Sequence, residues 1–248
     1  MWTMYDHLLD LLPEDVKIRE CLVGLAWFLV RSEGVGIAMT PPEGNRNFCF
    51  TGKVAGAGVR DVACWLKSWN FFEAAMGLAA INSVLNTPER LQADLGLNLT
   101  GQPEKHIFLH MLDQVRGKKV AVIGHFRDLE LLAPVCQLSI LERRPFGDDF
   151  PDPACEYILP HQDYVFITAT TLINKTLPRL LELSRQAYVV LVGPSTPLTP
   201  LLFDYGIDML AGTAVIEQEQ VWRLIQEGDR KEFFHAGAQM VKFSAAGQ

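Results

Sequence analysis

The chain has 248 residues, 49% of them hydrophobic and 21% charged, which is the composition of a globular protein with one large or two small domains. Its 29 acidic residues outnumber the 22 basic ones, and no run of Lys or Arg could follow a phosphate backbone, so a nucleic-acid partner is not expected. The longest apolar run, residues 21–30, is much shorter than the roughly 20 residues that cross a bilayer, so we expect no membrane partner.

The first part of the chain predicts an α+β domain over residues 1–97. Pro13 ends a short amphipathic helix, and Ser32-Glu33-Gly34 joins two apolar stretches into a β-hairpin. From Val59 onwards apolar residues recur at helical spacing. The predicted elements are a helix at 5–12, strands within 17–31, at 35–39 and at 47–51, and two packed helices that begin at residue 59.

The second part of the chain predicts an α/β domain over residues 104–248. Polar residues, Gly and Pro are concentrated at 98–103, which is typical of a linker. Beyond it, the apolar runs are continuous rather than alternating, which indicates strands covered on both faces in a Rossmann-like parallel sheet. The predicted strands are 119–124, 137–142, 164–168, 187–192 and 207–210, with helices at 104–115, 129–133, 177–184 and 215–227.

The first strand of this sheet ends in Gly124-His125-Phe126. Ligands of open parallel sheets bind beyond the carboxyl ends of the strands, where Gly124 permits close backbone approach and the imidazole of His125 could exchange protons. The second and third glycines of the dinucleotide fingerprint G-x-G-x-x-G are missing. A dinucleotide cofactor such as NAD is therefore not expected.

The second strand ends in Glu142, an acid about 20 residues after the first glycine, which is the position that binds ribose hydroxyls in Rossmann proteins. This position favours a nucleoside-like or polyol ligand. An equally weighted interpretation is that Glu142 pairs with Arg143 or Arg144 on the surface.

The third and fourth strands are followed by segments rich in hydroxyl groups, residues 168–176 and 193–200. Either segment could cap the following helix, because Thr and Asn satisfy free N–H groups there. Capping accounts for one such residue better than for several, so we favour ligand contact in the first segment. The prolines of the second make it a rigid turn that suits an anion or carbonyl group. The candidate residues are Thr168, Thr171, Asn174 and Lys175 in the first segment, and Gly193, Pro194, Ser195 and Thr196 in the second.

Asn82 interrupts an apolar helical segment in the first domain. A buried amide is costly unless it is paired. The sequence leaves open whether Asn82 bonds to the neighbouring sheet or faces a cleft between the domains.

The five cysteines are widely spaced, which predicts reduced thiols and no structural zinc set. The first ten residues contain Asp6 and Asp10 and no basic segment, so a secretory signal is not expected. We therefore expect the cytoplasm as the compartment.

Five ordered motifs together resemble those of the putative heavy-metal-chelation family, a group of bacterial and archaeal proteins of unknown function. The motifs are Val-Ile-Gly-His-Phe at 122–126, Leu-Glu-Arg-Arg-Pro at 141–145, Tyr-Ile-Leu-Pro at 157–160, the segment 168–176, and Gly-Pro-Ser-Thr-Pro at 193–197. Residues 70–83 also resemble that family's first-domain helix. The resemblance implies an enolase-N-terminal-like domain followed by a Rossmann-like domain, a site between them, and a role in metal homeostasis or chelator metabolism.

Our first hypothesis is a protein, enzymatic or not, that holds a small chelator-like or heterocyclic cofactor-precursor molecule between the domains. His125 would exchange protons and Glu142 would bind hydroxyls, while Asn174 and Ser195 hold oxygens and Phe126 stacks on a ring. The alternatives are a non-catalytic metal or metal-chelate binder and an adenosylmethionine-dependent methyltransferase. The sequence assigns no cofactor or metal and is compatible with a homo-oligomer. The candidate catalytic residues are His125, Glu142, Asn174 and Lys175, and the candidate ligand-binding residues are Asn82, Gly124, Phe126, Thr168, Thr171, Gly193, Pro194, Ser195 and Thr196.

Overall fold

The computed structural model describes residues 2–42, 44, 50–99 and 106–245. Most helices are short, and several are joined to 3-10 turns. The α-helices of the described residues are α1 (Thr3–Asp10), α2 (Val59–Ala63), α3 (Phe71–Leu85), α4 (Pro88–Leu95), α5 (Ile107–Met111), α6 (Cys155–Ile158), α7 (Thr170–Ile173), α8 (Leu177–Leu183), α9 (Gln218–Gln226) and α10 (Phe233–Ala236).

The strands form two separate sheets, so the expected mixture of antiparallel and parallel structure is confirmed. The small sheet is antiparallel and consists of β1 (Glu20–Val23), β2 (Trp27–Arg31) and β3 (Val35–Met39), in that order. The large sheet contains β4 (Lys119–Ile123), β5 (Gln137–Glu142), β6 (Phe150–Pro151), β7 (Tyr164–Thr168), β8 (Tyr188–Val192), β9 (Met209–Val215) and β10 (Ala238–Ser244).

The large sheet has the strand order β10-β9-β8-β7-β4-β5-β6. All neighbouring strands are parallel except β10, which runs antiparallel to β9. From β4 the chain continues to β5 and β6 on one side, and it then returns to β7 and proceeds to the other side. The strand order therefore reverses between β4 and β7, and at such a point the loops after the two strands diverge and leave a crevice.

Helix α3 lies at the centre of the molecule, with thirteen of its fifteen residues buried. It contacts β2 and β3 of the small sheet as well as α7. Two glycines allow this close packing: a Cβ at Gly36 would lie 2.0 Å from the carbonyl oxygen of Ala79, and one at Gly77 would lie 2.3 Å from the nitrogen of Leu66. A helix that is apolar on every side is expected to be buried.

One hydrophobic core extends through both halves of the chain. It joins residues of the small sheet and α3, such as Phe28 and Ala79, to residues of the large sheet, such as Ile123 and Ile167. A second cluster, which includes Phe108 of α5, covers the opposite face of the large sheet. A third cluster packs the outer face of the small sheet against α9 and α10. None of the helices in the described ranges is long and apolar enough for a membrane span.

Several elements differ from the sequence-based expectation. The helix expected at 129–133 is only a 3-10 turn, Leu129–Leu131, which follows Asp128 in a left-handed conformation with φ of 64°. The strand expected at 207–210 is β9, which begins at Met209 and extends to Val215, so that α9 begins later than expected. The segment at 168–176 contains the short helix α7, and β10 was not expected. The strand expected at 47–51 and the linker at 98–103 lie mostly outside the described residues.

Candidate functional site

The loop after β4 lies where the strand order reverses. Gly124 has a φ of 100°, a conformation that favours glycine, and a Cβ there would meet Thr168 Cγ2, on β7, at 3.2 Å. The ring of Phe126 extends along the same edge, since its Cε1 atom lies 3.9 Å from the Cβ position of Gly193, beyond β8. It also packs edge-on against Phe108, with 5.7 Å between ring centroids. The ends of β4, β7 and β8 therefore meet around Phe126.

His125 is held by a carboxylate that sequence reasoning missed. Its Nδ1 atom lies 2.8 Å from Oδ2 of Asp149, whose side chain is only 3% exposed, whereas that of His125 is 44% exposed. The same oxygen accepts a hydrogen bond from the backbone N–H of Phe146. A carboxylate on one ring nitrogen fixes the ring and leaves Nε2 for another partner. The signal in the sequence is the acidic pair Asp148-Asp149 between β5 and β6.

The Glu142 carboxylate stabilises the backbone around His125 by accepting hydrogen bonds. Its Oε2 accepts a hydrogen bond from the His125 N–H at 2.9 Å, and its Oε1 accepts from the N–H groups of Arg143 and Arg144 at 2.8 and 3.3 Å. These bonds engage both carboxylate oxygens. Glu142 thus lies beside His125, as expected from the strand ends, and bonds to the backbone of both arginines.

The hydroxyl-rich segment after β7 is largely bonded to itself. The hydroxyls of Thr168 and Thr170 lie 3.0 Å apart, and the Thr171 hydroxyl donates to the Thr168 carbonyl at 2.6 Å. Asn174 Oδ1 accepts hydrogen bonds from the N–H and the hydroxyl of Thr176. The oxygen of Asn174 is thus engaged in a local turn with Thr176, while neither α7 nor α8 has a side-chain N-cap hydrogen bond. Asn174 Nδ2 makes no hydrogen bond to another residue that the structure describes.

Lys175 bridges the two halves of the chain. It adopts a φ of 67°, which is uncommon for a residue with a side chain. Its Nζ donates to the carbonyl oxygens of Ser68 and Ile173, and it lies 5.9 Å from the ring centroid of Trp69 and 5.8 Å from that of Phe71. Burial lowers the pKa of the Lys175 ammonium to about 8.

The segment after β8 is bonded to the N-terminal half. The Ser195 hydroxyl accepts from the Met39 N–H at 2.9 Å, and its carbonyl accepts from Asn82 Nδ2 at 3.1 Å. Asn82 Nδ2 also donates to the Ile37 carbonyl, while Asn82 Oδ1 is buried and has no hydrogen-bond partner among the residues that the structure describes. Thr196 is fully buried, and its hydroxyl donates to a carbonyl of β9. Asn82, Ser195 and Thr196 thus form a polar contact between the halves.

The structure therefore divides the candidate residues into three neighbouring groups. One surrounds the reversal point, one lies around α7, and one connects α3 to the loop after β8. The first group contains Gly124, His125, Phe126, Glu142, Thr168 and Gly193, the second Thr171, Asn174 and Lys175, and the third Asn82, Pro194, Ser195 and Thr196.

A cavity of about 600 Å³ lies away from these residues, between β1 and the end of α9. It is lined in part by Cys21, Trp222 and Gly228. We favour the strand ends over this cavity because the strand ends combine the reversal of the strand order with an oriented imidazole and a half-buried amine. In the described residues, no group of three or more His, Cys, Asp or Glu side chains is placed to hold a metal ion, and the four described cysteines are free.

These features define a mixed α/β protein with a polar group of side chains at the carboxyl ends of its parallel strands. Two family models, both described as "Putative heavy-metal chelation", match the chain at residues 5–85 and 107–243. The chain belongs to this family, whose function is unknown, and the resemblance drawn from the sequence motifs is confirmed.

Relatives of known structure or sequence extend over almost the same length. A crystal structure of a family member of unknown function from Desulfitobacterium hafniense is 39% identical, with a TM-score of 0.92 and 98% of each chain covered. Another, from Pyrococcus horikoshii, is 22% identical, with a TM-score of 0.81 over 98% of each chain, and shows the same fold. An uncharacterised protein of Methanocaldococcus jannaschii is 29% identical over 232 residues, 86% of this chain and 85% of that protein.

Proposed function

We propose that the protein binds a small chelator-like or heterocyclic molecule in a cleft between two domains, residues 1–97 and 104–248. In this proposal the first domain is enolase-N-terminal-like and the second is Rossmann-like. The strand order of the large sheet supports the second assignment, because β6-β5-β4-β7-β8-β9 is the order of doubly wound nucleotide-binding sheets. The family name supports a metal-related ligand.

The observation that carries the proposal is the His125–Asp149 pair at the reversal point. A half-exposed imidazole whose Nδ1 faces a buried carboxylate presents Nε2 to an incoming group. This arrangement restricts the conformation of the loop of residues 124–126. The hydrogen bond from the His125 N–H to the Glu142 carboxylate stabilises the restricted conformation. The Nε2 atom of His125 would therefore accept an acidic proton from the ligand.

A second feature supports placing the ligand between the two halves. Asn82 Oδ1 is a buried acceptor without a donor in the described chain, and an unsatisfied buried acceptor costs about 1–3 kcal/mol. An N–H group of a ligand, or a water molecule held by one, would recover part of this cost. Asn174 Nδ2 and the backbone of Gly193 and Pro194 would complete the polar contacts.

Native mass spectrometry of gently purified protein tests the proposal. We expect a small molecule of defined mass on the wild-type protein and its loss, or a marked decrease in occupancy, in His125→Ala. Elemental analysis of the same sample determines whether a metal accompanies the molecule. His110→Ala is the matched control, since His110 lies on α5 and outside the proposed contacts. Equal occupancy in His125→Ala and wild type, or a bare protein under all conditions, would contradict the proposal.

A further inference from the structure

Four side chains from both halves of the chain form a cationic and aromatic group next to the proposed site. Lys175 and Arg143 both face the ring of Phe71, at 5.8 and 5.9 Å from its centroid, and Lys175 also faces Trp69. We call these residues, Lys175, Arg143, Phe71 and Trp69, the Lys175 cluster. We propose that the Lys175 cluster binds the carboxylate of a planar aromatic anion, which makes an aromatic carboxylate the ligand class of the proposed site.

Among the described residues, the ammonium of Lys175 has no negatively charged partner. Its hydrogen-bond acceptors are the carbonyl oxygens of Ser68 and Ile173, and the described residues provide no carboxylate within ion-pair distance. Since an ammonium has three donors, one N–H remains for a further acceptor. A half-buried cation with one free donor and no counter-ion is a favourable partner for an incoming carboxylate.

Arg143 supplies a second cation with a weak partner. The nearest carboxylate in the described residues is that of Asp152, whose Oδ2 lies 3.8 Å from the Arg143 Nε. Both side chains are about half exposed, and an exposed pair at this separation contributes little. The guanidinium can therefore turn from Asp152 toward a ligand at low cost. Its planar fork matches the two oxygens of a carboxylate.

The aromatic members favour a planar ligand. Trp69 is 66% exposed, although a large aromatic side chain on a well-packed protein is usually covered. Its edge-on partner is Trp2, with 6.0 Å between ring centroids, so the position of the indole is supported from one side. An exposed, supported indole beside a cation is suited to stack on an aromatic ring whose carboxylate reaches that cation.

The Lys175 cluster is continuous with the His125 site, so this inference rests on the proposed function. Arg143 follows Glu142 directly, and Glu142 accepts hydrogen bonds from the backbone of both Arg143 and His125. A ligand that places its carboxylate on Lys175 could thus direct its other end toward His125. The sequence did not single out Trp69 or Phe71, because neither follows a strand of the large sheet.

Binding of the anion should depend on pH, because only the charged form of Lys175 attracts it. Charged groups on the surrounding elements include Arg143 with Asp152, Lys67 with Asp6, and Glu73, whose carboxylate accepts a hydrogen bond from the Ser68 hydroxyl. With the pKa of Lys175 at about 8, affinity should be constant below that pH and should fall above it by up to about tenfold per pH unit.

Isothermal titration calorimetry with isophthalate in metal-free buffer tests the inference. Isophthalamide is the neutral planar control, and cyclohexane-1,3-dicarboxylate is the non-planar anion. We expect isophthalate alone to bind well, with affinity lowered by about tenfold or more in Lys175→Gln and by a smaller factor in Arg143→Gln and Trp69→Ala. Lys231→Gln, at an exposed position remote from the cluster, should bind as the wild type does.

The variants and probes distinguish failure of this inference from poor folding of a variant and from failure of the proposed function. Arg143→Gln and Trp69→Ala change exposed side chains, so they test the cluster even if Lys175→Gln is poorly folded. Equal binding of isophthalate to the wild type and all three variants, binding of isophthalamide as tight as that of isophthalate, or no binding of isophthalate would overturn the inference. The proposed function would fail separately, by the absence of a His125-dependent molecule in native mass spectra.

Discussion

At the scale of single residues, two carboxylates position the accessible imidazole of His125. Asp149 and Glu142 direct their oxygens at the ring and backbone of His125, while the imidazole is half exposed. A ligand would therefore meet a group whose orientation is already fixed. Preorganisation of this kind lowers the entropy that binding or proton transfer must overcome.

Asp149 should determine which nitrogen of neutral His125 carries the proton. A carboxylate can only accept, so it selects the Nδ1–H form and leaves Nε2 as an acceptor. We expect long-range ¹H–¹⁵N spectra to show this form in the wild-type protein and a mixture of both forms in Asp149→Asn. Asp148→Asn, at the neighbouring exposed position, is the control and should resemble the wild type. A predominant Nε2–H form in the wild type would contradict the assignment.

Lys175 should make the stability of the protein depend on pH in the alkaline range. Burial lowers its pKa to about 8 from the ordinary 10.5, so between these values the unfolded chain holds a proton that the folded chain has released. Stability then rises with pH. We expect the free energy of unfolding of the wild type, relative to Lys175→Gln, to increase between about pH 7 and about pH 10 in urea titrations. A difference that stays constant or decreases would show that Lys175 is not buried as described.

Around the reversal point, the sequence predicts site residues where a strand end marks them. His125, Glu142 and Thr168 follow apolar runs directly, and the structure places them side by side at the reversal point. Asp149 and Trp69 lie in loops without a periodic pattern. Tertiary packing brings Asp149 close to His125 and Trp69 close to Lys175. The order of residues along the chain does not indicate this packing.

At the scale of elements, the packing of α3 against β3 depends on the absence of a side chain at Gly36. A Cβ at this position would lie 2.0 Å from the Ala79 carbonyl oxygen and 2.1 Å from the Ser83 nitrogen. Both atoms belong to the helix backbone, so no side-chain rotation can relieve the clash. The helix and the strand would have to separate.

Gly36→Ala should therefore be strongly destabilising. We expect a loss of at least about 3 kcal/mol in the free energy of unfolding, measured by urea denaturation, because overpacking against a backbone moves whole elements. Gly52→Ala is the control: a Cβ there meets nothing within 4 Å, although φ is 71°. Its cost should be only about 1 kcal/mol. Equal effects of the two substitutions would show that α3 and β3 are not in this close contact.

Elements are predicted well where one physical signal dominates. The continuous apolar run of β7 gives the observed bounds, because a strand covered on both faces needs apolar residues along its length. In β10 buried and half-buried residues alternate along much of the strand, so it lacks such a run. The turn Leu129–Leu131 resembles a helix in sequence, but Pro134, which has no backbone N–H, follows it closely and prevents its extension as an α-helix.

At the scale of the whole molecule, the two proposed domains share one core rather than meeting at a polar surface. Besides the apolar contacts, Asn86 on the C-terminal side of α3 donates to the carbonyls of Thr196 and Thr213 and accepts from the Leu198 N–H. Tyr5 donates to the Leu172 carbonyl. Separation of the halves would lose these hydrogen bonds, each of which contributes about 0.5–1.5 kcal/mol net, together with the shared apolar contacts.

The chain should consequently unfold in a single transition. We expect tryptophan fluorescence and far-ultraviolet circular dichroism to give coincident urea unfolding curves, since four of the five tryptophans, Trp2, Trp27, Trp65 and Trp69, lie in the first half and most strands of the large sheet lie in the second. Asn86→Leu should lower the midpoint without separating the curves. Two transitions, one for each probe, would show that the halves fold independently.

In the proposed function a small molecule lies between the halves, at the strand ends around His125. A crystal structure of protein purified with its bound molecule is the direct test. We expect ligand density in contact with His125 Nε2 and with Lys175, flanked by Trp69 and the Gly193-Pro194 backbone. Density confined to the cavity between β1 and α9, with no contact to His125, would contradict it.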